Sequence, residues 1–247
     1  VLGASLWTAG QTAEAFAQDE AMLSLAREVG DRGWEGSALD HLAVNHSDRG
    51  LMEDACRLGE AAIAVARELG DRRREGVFLG HLGAMRMGMG RMEEGGALMT
   101  AAVEIAREVG DRRHEGISLG ALGTLHTAQG RMDDALGAYD AALAIVLEAG
   151  DRRYEGIMLT SRSTPHLMLG RAAEALRDLQ AALVIARAVG DRRAESTGLF
   201  YMGNTHLATG RLEEARRCYD ASLPIVREVG GRGDLAYVLH LVGILHA

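Results

Sequence analysis

Apolar positions along this chain recur with a helical period, and the whole pattern then repeats. Within residues 111–150, Leu119, Leu122, Gly123 and His126 fall at i, i+3, i+4 and i+7, the spacing of one helix face. After Gly130, the residues Ala135, Tyr139, Ala142 and Val146 make a second such stripe. Each stripe ends at a glycine. Gly30, Gly70, Gly110, Gly150, Gly190 and Gly230 stand 40 apart, and Gly10, Gly50, Gly90, Gly130, Gly170 and Gly210 fall midway. A fixed period of this size is the mark of a repeat array, with each unit a pair of helices. Five full units are predicted at 31–70, 71–110, 111–150, 151–190 and 191–230, with partial units at 1–30 and 231–247.

The nine residues at each unit boundary are nearly constant: "ELGDRRREG" at 68–76 and "EVGDRRHEG" at 108–116. They read as a helix stop followed at once by a helix start. The glycine takes the left-handed conformation that closes a helix, and the aspartate caps the next. Glu115, one turn in, favours the positive end of the helix dipole. Pairs such as Glu93–Glu94, Asp133–Asp134 and Glu213–Glu214 open the second helices similarly. The arginines after each aspartate would stack into a ladder. The glutamate column (Glu75, Glu115, Glu155, Glu195) gives each a partner, so a salt-laced surface is expected rather than an anion-binding edge.

Composition narrows the class. The chain has 247 residues, a formal net charge of −8 and 47% hydrophobic residues, which suits a single all-α array. Two prolines and a strict period leave no room for a linker. An acidic chain is a poor generic nucleic-acid binder, because that affinity comes mostly from neutralising phosphates. No apolar run reaches the length of a membrane span, and "VLGASLWTAG" lacks the basic start of a signal peptide. Cys56 and Cys218 lie four repeats apart, too far for a disulfide at about 10 Å per helix layer, which fits a cytoplasmic setting. Every basic residue is arginine, which points to a GC-rich bacterial genome. The chain begins mid-unit and is expected to be a piece of a longer protein.

Leu122-Gly123, His126, Gly130, Ala135, Tyr139 and Ala142, with Met202-Gly203, His206, Gly210, Ala215, Tyr219 and Ser222, resemble the tetratricopeptide-repeat family. The 40-residue unit with "GD" at its boundary is similar to Pins-type adaptors and kinesin light chains. The resemblance covers essentially the whole chain. It implies a right-handed α-solenoid, a superhelix of helix–turn–helix units whose first helices line a concave face. Leu79 and Leu119 stand in the first aromatic slot, the closing proline is absent, and histidine takes the usual tyrosine place in most first helices.

Projected onto this sequence, that concave face carries Asp40, Val44 and Ser47; Gly80, Ala84 and Met87; Ile117, Gly120, Thr124, Thr127 and Ala128; Thr160, Thr164 and Leu167; Phe200, Asn204 and Leu207; and His240 and Ile244. These slots differ between units while the packing slots repeat, as a binding surface would. Asp40 and the flanking Asp48 are its main charges, and Asn204 alone resembles a carboxylate-gripping set. A small, apolar, hydroxyl-lined groove suits a helix or extended segment with an apolar face, bound with little salt dependence. Pro165, in "SRSTPHLMLG", predicts a kink beside Thr164 that frees the Ser161 carbonyl, and Pro224 falls in a second helix. The Met- and Gly-rich stretch 81–96, with Gly95-Gly96, is expected to be the softest unit.

Catalytic chemistry finds little footing. Without lysine there is no P-loop lysine, kinase lysine or Schiff base. "GISLG" at 116–120 matches the nucleophile elbow around Ser118, but it lies inside a predicted helix rather than after a strand. Asn45-His46-Ser47 matches a glycosylation sequon in a helical setting. The histidine column (His46, His126, His166, His206, His246) presents one side chain per unit, with His41 and His81 a weaker pair. No acid or cysteine column accompanies it as a metal site requires, so it is expected to fill the helix seam. The expected function is a non-catalytic protein- or peptide-binding module of a larger bacterial regulator, with no cofactor, metal, nucleic acid or membrane partner. The alternative is a structural scaffold: "DLAYVLHLVGILHA" at the end is an apolar helix with nothing to cover it, and head-to-tail stacking would bury it.

Overall fold

A computed structural model describes residues 9–229. Among them are eleven helices and no strand: α1 Ala9–Val29, α2 Arg32–Asp48, α3 Met52–Glu68, α4 Arg72–Gly88, α5 Met92–Glu108, α6 Arg112–Ala128, α7 Met132–Ala149, α8 Arg152–Met168, α9 Ala172–Ala188, α10 Arg192–Ala208 and α11 Leu212–Val229. The even-numbered helices are the first helices of the units and the odd-numbered ones the second. Two compact units, Val1–Ala121 and Leu122–Ala247, divide the chain. His240, Ile244, His246 and the apolar end segment lie outside the described residues.

Asp71 shows how the boundary motif works. Its backbone N–H donates to the Ala66 carbonyl at 2.9 Å while the Gly70 N–H donates to Arg67, closing α3. Gly70 takes φ +66°, a conformation that only glycine adopts without strain. The Asp71 carboxylate then accepts from the Arg74 N–H at 3.0 Å and starts α4. Asp31, Asp111, Asp151 and Asp191 make the same bond. Second helices start otherwise. Leu51, Arg91, Arg131 and Arg171 stand at their N-caps without a side-chain bond, and acidic residues in the first turn serve the helix dipole instead. Gly10 departs from its column, since it lies within α1.

The glutamate column is more than surface decoration. Glu75 is only 5% exposed. Its carboxylate accepts from Arg67 Nε at 2.7 Å and from Arg72, which reaches on to Glu108 at 2.8 Å. Burial alone would raise the Glu75 carboxyl, but the hydrogen bonds from Arg67 and Arg72 outweigh it and hold it below the usual carboxylate range. The pattern recurs with Arg27, Glu35, Arg32 and Glu68, with Arg107, Glu115 and Arg112, and with Arg187, Glu195, Arg192 and Glu228. The expected pairing of the arginines with the glutamate column is present, with a difference in depth. The arginines and the outer Glu68, Glu108 and Glu228 are exposed, while Glu35, Glu75, Glu115 and Glu195 are buried. The lattice thins around α8, where Leu147 and Ala188 replace an arginine and a glutamate, and Glu155 pairs with Arg152 alone among the described residues.

Small residues let the helices approach. In the first unit Leu39, Ile63, Phe78, Leu82 and Ile105 pack among Ala43, Ala55, Ala62 and Ala102. Between α4 and α5 a Cβ on Gly95 would stand 2.5 Å from Met87 Cγ and 2.8 Å from the Gly83 carbonyl oxygen. Gly95 therefore permits a close crossing; it is not merely a weak helix start. In the second unit the buried Tyr139 ring lies against Gly123, and Tyr219 against Gly203. α8 runs unbroken through buried Pro165, and α11 through exposed Pro224.

Candidate functional site

In the second unit, α9 packs against both α8 and α10, and a pocket of about 320 Å³ opens among the three. α9 gives it Ala182, Ile185 and Ala186; the turn that follows gives Val189 and Asp191; α8 gives Arg153, Ile157, Thr160 and Ser161; α10 gives Arg193, Ala194, Thr197 and Tyr201. The α9 contribution is wholly apolar, and the two first helices bring the polar groups. Arg153 Nη2 pairs with Asp191 at 3.0 Å. In the first unit, Arg73 meets Asp111 in the same relation at 3.6 Å. Arg193 has no carboxylate partner among the described residues, and the residue that would supply one, 40 beyond Asp191, is Gly231. The hydroxyls of Thr160 and Thr197 bond back to carbonyls of their own helices, Gly156 and Arg193.

One lining residue departs from its column. Ala194 occupies the position held by Trp34, Arg74, His114 and Tyr154 in the other units. In the first unit two of these larger side chains lie near their capping aspartates: Arg74 lies 3.4 Å from Asp71 and His114 Nδ1 3.1 Å from Asp111.

Of the residues projected from the sequence, Thr160 lines this pocket. Asp40 is buried at 3% exposure and takes His81 Nδ1 at 2.9 Å. Burial would lower the His81 imidazole, but the bond to Asp40 raises it above its usual value. Val44, Ser47 and Gly80 are half-buried and Ala84 is exposed. Ser47 lies 3.5 Å from Met52 Sδ, Met87 abuts Gly95, and Gly120 is buried. Thr124 and Asn204 hydrogen-bond the hydroxyls of Tyr139 and Tyr219, at 3.1 and 2.7 Å. Thr127 donates to the Gly123 carbonyl, and Thr164 and Leu167 are half-buried on α8. Phe200, Asn204 and Leu207 gather around Tyr219. Arg153, Ile157, Ser161, Arg193 and Tyr201 were not projected, although Ile117 shares the column of Ile157. This pocket shares only Thr160 with the projected, nearly uncharged groove and carries the Arg153–Asp191 pair and Arg193 in its lining. The signals were the break at Gly231 and the lone alanine at 194.

α8 carries another departure from the repeat. Arg162, where other units have Leu42, Leu82 and Leu122, reaches Asp178 through two bonds at 2.8 and 2.7 Å and Asp140 through a third at 2.5 Å. Asp178 is 8% exposed. The histidine column packs into the helix seams. His46 meets the Phe16 ring at 5.4 Å, and burial pushes the His126, His166 and His206 imidazoles below their usual value. Ser118 is buried within α6. Among the described residues no three His, Cys, Asp or Glu side chains gather to hold a metal, and no helix is long and apolar enough to cross a membrane. Both cysteines are free thiols.

Tetratricopeptide-repeat family models match residues 36–69 and 74–148, and the model of anaphase-promoting complex subunit 5 matches 151–197. No curated protein matches the chain. Among solved structures, BtubC (BKLC) from P. vanneervenii is similar, with a TM-score of 0.77 and 19% identity, over 91% of this chain and 93% of that one. A Signal Transduction ATPase with Numerous Domains and a tetratricopeptide repeat sensor, from Pyrococcus horikoshii, gives 0.76 and 19% over 91% of this chain and 34% of that one. The quorum sensor NprR from B. thuringiensis gives 0.74 and 14% over 93% and 65%. These likenesses establish a shared fold. With the helix pairs, the Leu-Gly and Tyr positions and the matched stretches all in agreement, the chain belongs to the tetratricopeptide-repeat family.

Proposed function

We propose that the array is a non-catalytic protein-interaction module that holds a peptide or helix along its first helices, as part of a larger bacterial regulatory protein in the cytoplasm. The observation that carries this reading is the pocket between α8 and α10, where Thr160, Ser161 and Ala194 depart from the other units on a lining whose Arg153, Ala182, Ile185 and Asp191 follow the repeat. The residues projected along the first helices, from Asp40 to Leu207, remain the proposed wider contact surface. Two fold neighbours support it by what they hold: NprR is solved with its cognate peptide NprX, and a Rap protein with the competence and sporulation factor. The fold serves many partners, so the neighbours bear on the kind of ligand and not its identity.

The test is a pull-down with the purified array beside an Ala84→Arg, Thr160→Arg variant, one change in each unit, with helicity followed by circular dichroism. Partners retained by the native array and lost by the equally helical variant would support the reading. Partners held equally by both would remove the site from the first helices.

A further inference from the structure

Asp40 is a buried carboxylate with one partner. It is 3% exposed, and among the described residues only His81 hydrogen-bonds it, with Nδ1 2.9 Å from each carboxylate oxygen. A buried anion with a single neutral donor is poorly compensated, whereas an imidazolium in that place supplies both the bond and the charge. The two residues belong to α2 and α4, first helices of neighbouring units that touch directly. At the later boundaries the same two columns hold Gly80 and Ala121, Gly120 and Ser161, and Thr160 and Tyr201, where no ion pair can form. Thr160 and Tyr201 border the opening between α8 and α10. In the first unit the Asp40–His81 pair joins the two helices at these positions instead.

We infer that Asp40 and His81 form a proton-set clasp on the seam between α2 and α4: with the imidazole protonated the two helices are held together, and loss of that proton frees them to part. The His81 ring is half-exposed, so its proton exchanges with water. No other ion pair among the described residues engages it. On α2 the neighbouring His41 faces Asp19 of α1. α3 turns Arg67 to Glu75 and Glu60 to Arg86; α5 turns Glu94 to Arg86 and Glu108 to Arg72; and Asp111, the cap of α6, meets Arg73. Burial alone would lower the imidazole, but Asp40 outweighs it and raises it above its usual value. A raised imidazole stabilises fully below the free value of about 6.5 and loses that contribution as pH rises through the folded value. The clasp is thus shut in mild acid and released toward alkaline pH, opposite in sense to His126, His166 and His206. It stands whether or not the array holds a peptide.

The test uses the full chain. The His81 ring signal, identified by its absence from His81→Gln, is followed by nuclear magnetic resonance from about pH 5 to about pH 9. Amide hydrogen exchange in α2 and α4 is read by mass spectrometry over the same range and corrected for intrinsic rates. The expected midpoint lies above about 6.5, and protection along the α2–α4 seam falls through it, roughly tenfold for each pH unit of that difference. His81→Gln keeps a donor for Asp40 but has nothing to titrate, so its protection should stay level. Asp40→Asn should bring the His81 midpoint down to about 6.5 or lower. A native midpoint no higher than that of a free imidazole, or native protection that ignores pH, would overturn the clasp, as would an equal fall in His81→Gln. If His81→Gln loses helicity by circular dichroism, the native titration and the shift in Asp40→Asn decide between the same outcomes.

Discussion

The same substitution, glycine to alanine, should have opposite effects at Gly95 and Gly137. Both lie inside second helices, α5 and α7. In each, alanine gains about 1 kcal/mol of helix propensity. At Gly137 a Cβ meets nothing within 4 Å, so the gain stands, and Gly137→Ala should stabilise the array by about 0.5–1 kcal/mol. At Gly95 the new Cβ would lie 2.5 Å from Met87 Cγ, 2.8 Å from the Gly83 carbonyl oxygen and 3.1 Å from the Met87 backbone nitrogen. Met87 can swing aside, but the two backbone atoms belong to the facing helix and cannot. α4 and α5 must separate by several tenths of an ångström, which loosens the packing beneath them. Overpacking of this kind costs about 1–3 kcal/mol, so the net change should be a loss of about 1–2 kcal/mol. Melting followed by circular dichroism measures both. For a chain this long, each kcal/mol moves the midpoint by roughly 2–4 °C. A Gly95→Ala variant melting at or above the native temperature would refute the close crossing of α4 and α5.

Arg162→Leu alone should destabilise by about 2–3 kcal/mol, because Asp178 is left buried without its partner; adding Asp178→Leu, the residue at Leu58 and Leu98, should recover most of the loss in a double-mutant cycle of urea midpoints. Asp71→Ala should cost about 1 kcal/mol through the lost cap on Arg74 N–H, whereas Asp71→Asn should cost much less. Three seam imidazoles, the half-buried His126 and His166 and the buried His206, are held below their usual value by burial, so their stabilisation is complete above the unfolded value of about 6.5 and fades as pH falls through the folded values; His81, raised by Asp40, acts in the opposite sense. The melting temperature should therefore rise between pH 5 and 7.5, and replacing the three histidines with tyrosine should flatten or invert that slope; a slope unchanged in the triple variant would exclude them as its source.

Local chemistry made most of the fold legible. A glycine that closes a helix and an aspartate that caps the next act within six residues, so Gly70 and Asp71 could be read without any tertiary contact. The burial of Glu75 could not, because it depends on Arg67 arriving from the preceding helix. The role of Gly95 was hidden for the same reason: nothing in its neighbours along the chain says that the Gly83 carbonyl lies across from it. The candidate site was legible as a face but not as an angle. The stripe containing Thr124 and Asn204 turns toward Tyr139 and Tyr219 of its own unit, while the pocket opens one position round, at Ile157, Ser161, Arg193 and Tyr201.

The bridges from Arg32 to Glu68, Arg72 to Glu108 and Arg192 to Glu228 each begin and end inside one 40-residue module. A gene segment encoding residues 71–110 can therefore be excised or duplicated without orphaning these bridges. The Asp111 boundary would follow Gly70 in frame, and Arg67 would find Glu115 where it had held Glu75. The contact that such an excision would break is the one from buried Asp40 to His81, since Ala121 would take the place of His81. Array length is thus a quantity that recombination changes in whole steps, at a penalty set by the few contacts particular to one unit. A deletion of 39 or 41 residues that joins within a helix would turn the part beyond the junction by about 100° and break its register with the neighbouring helices.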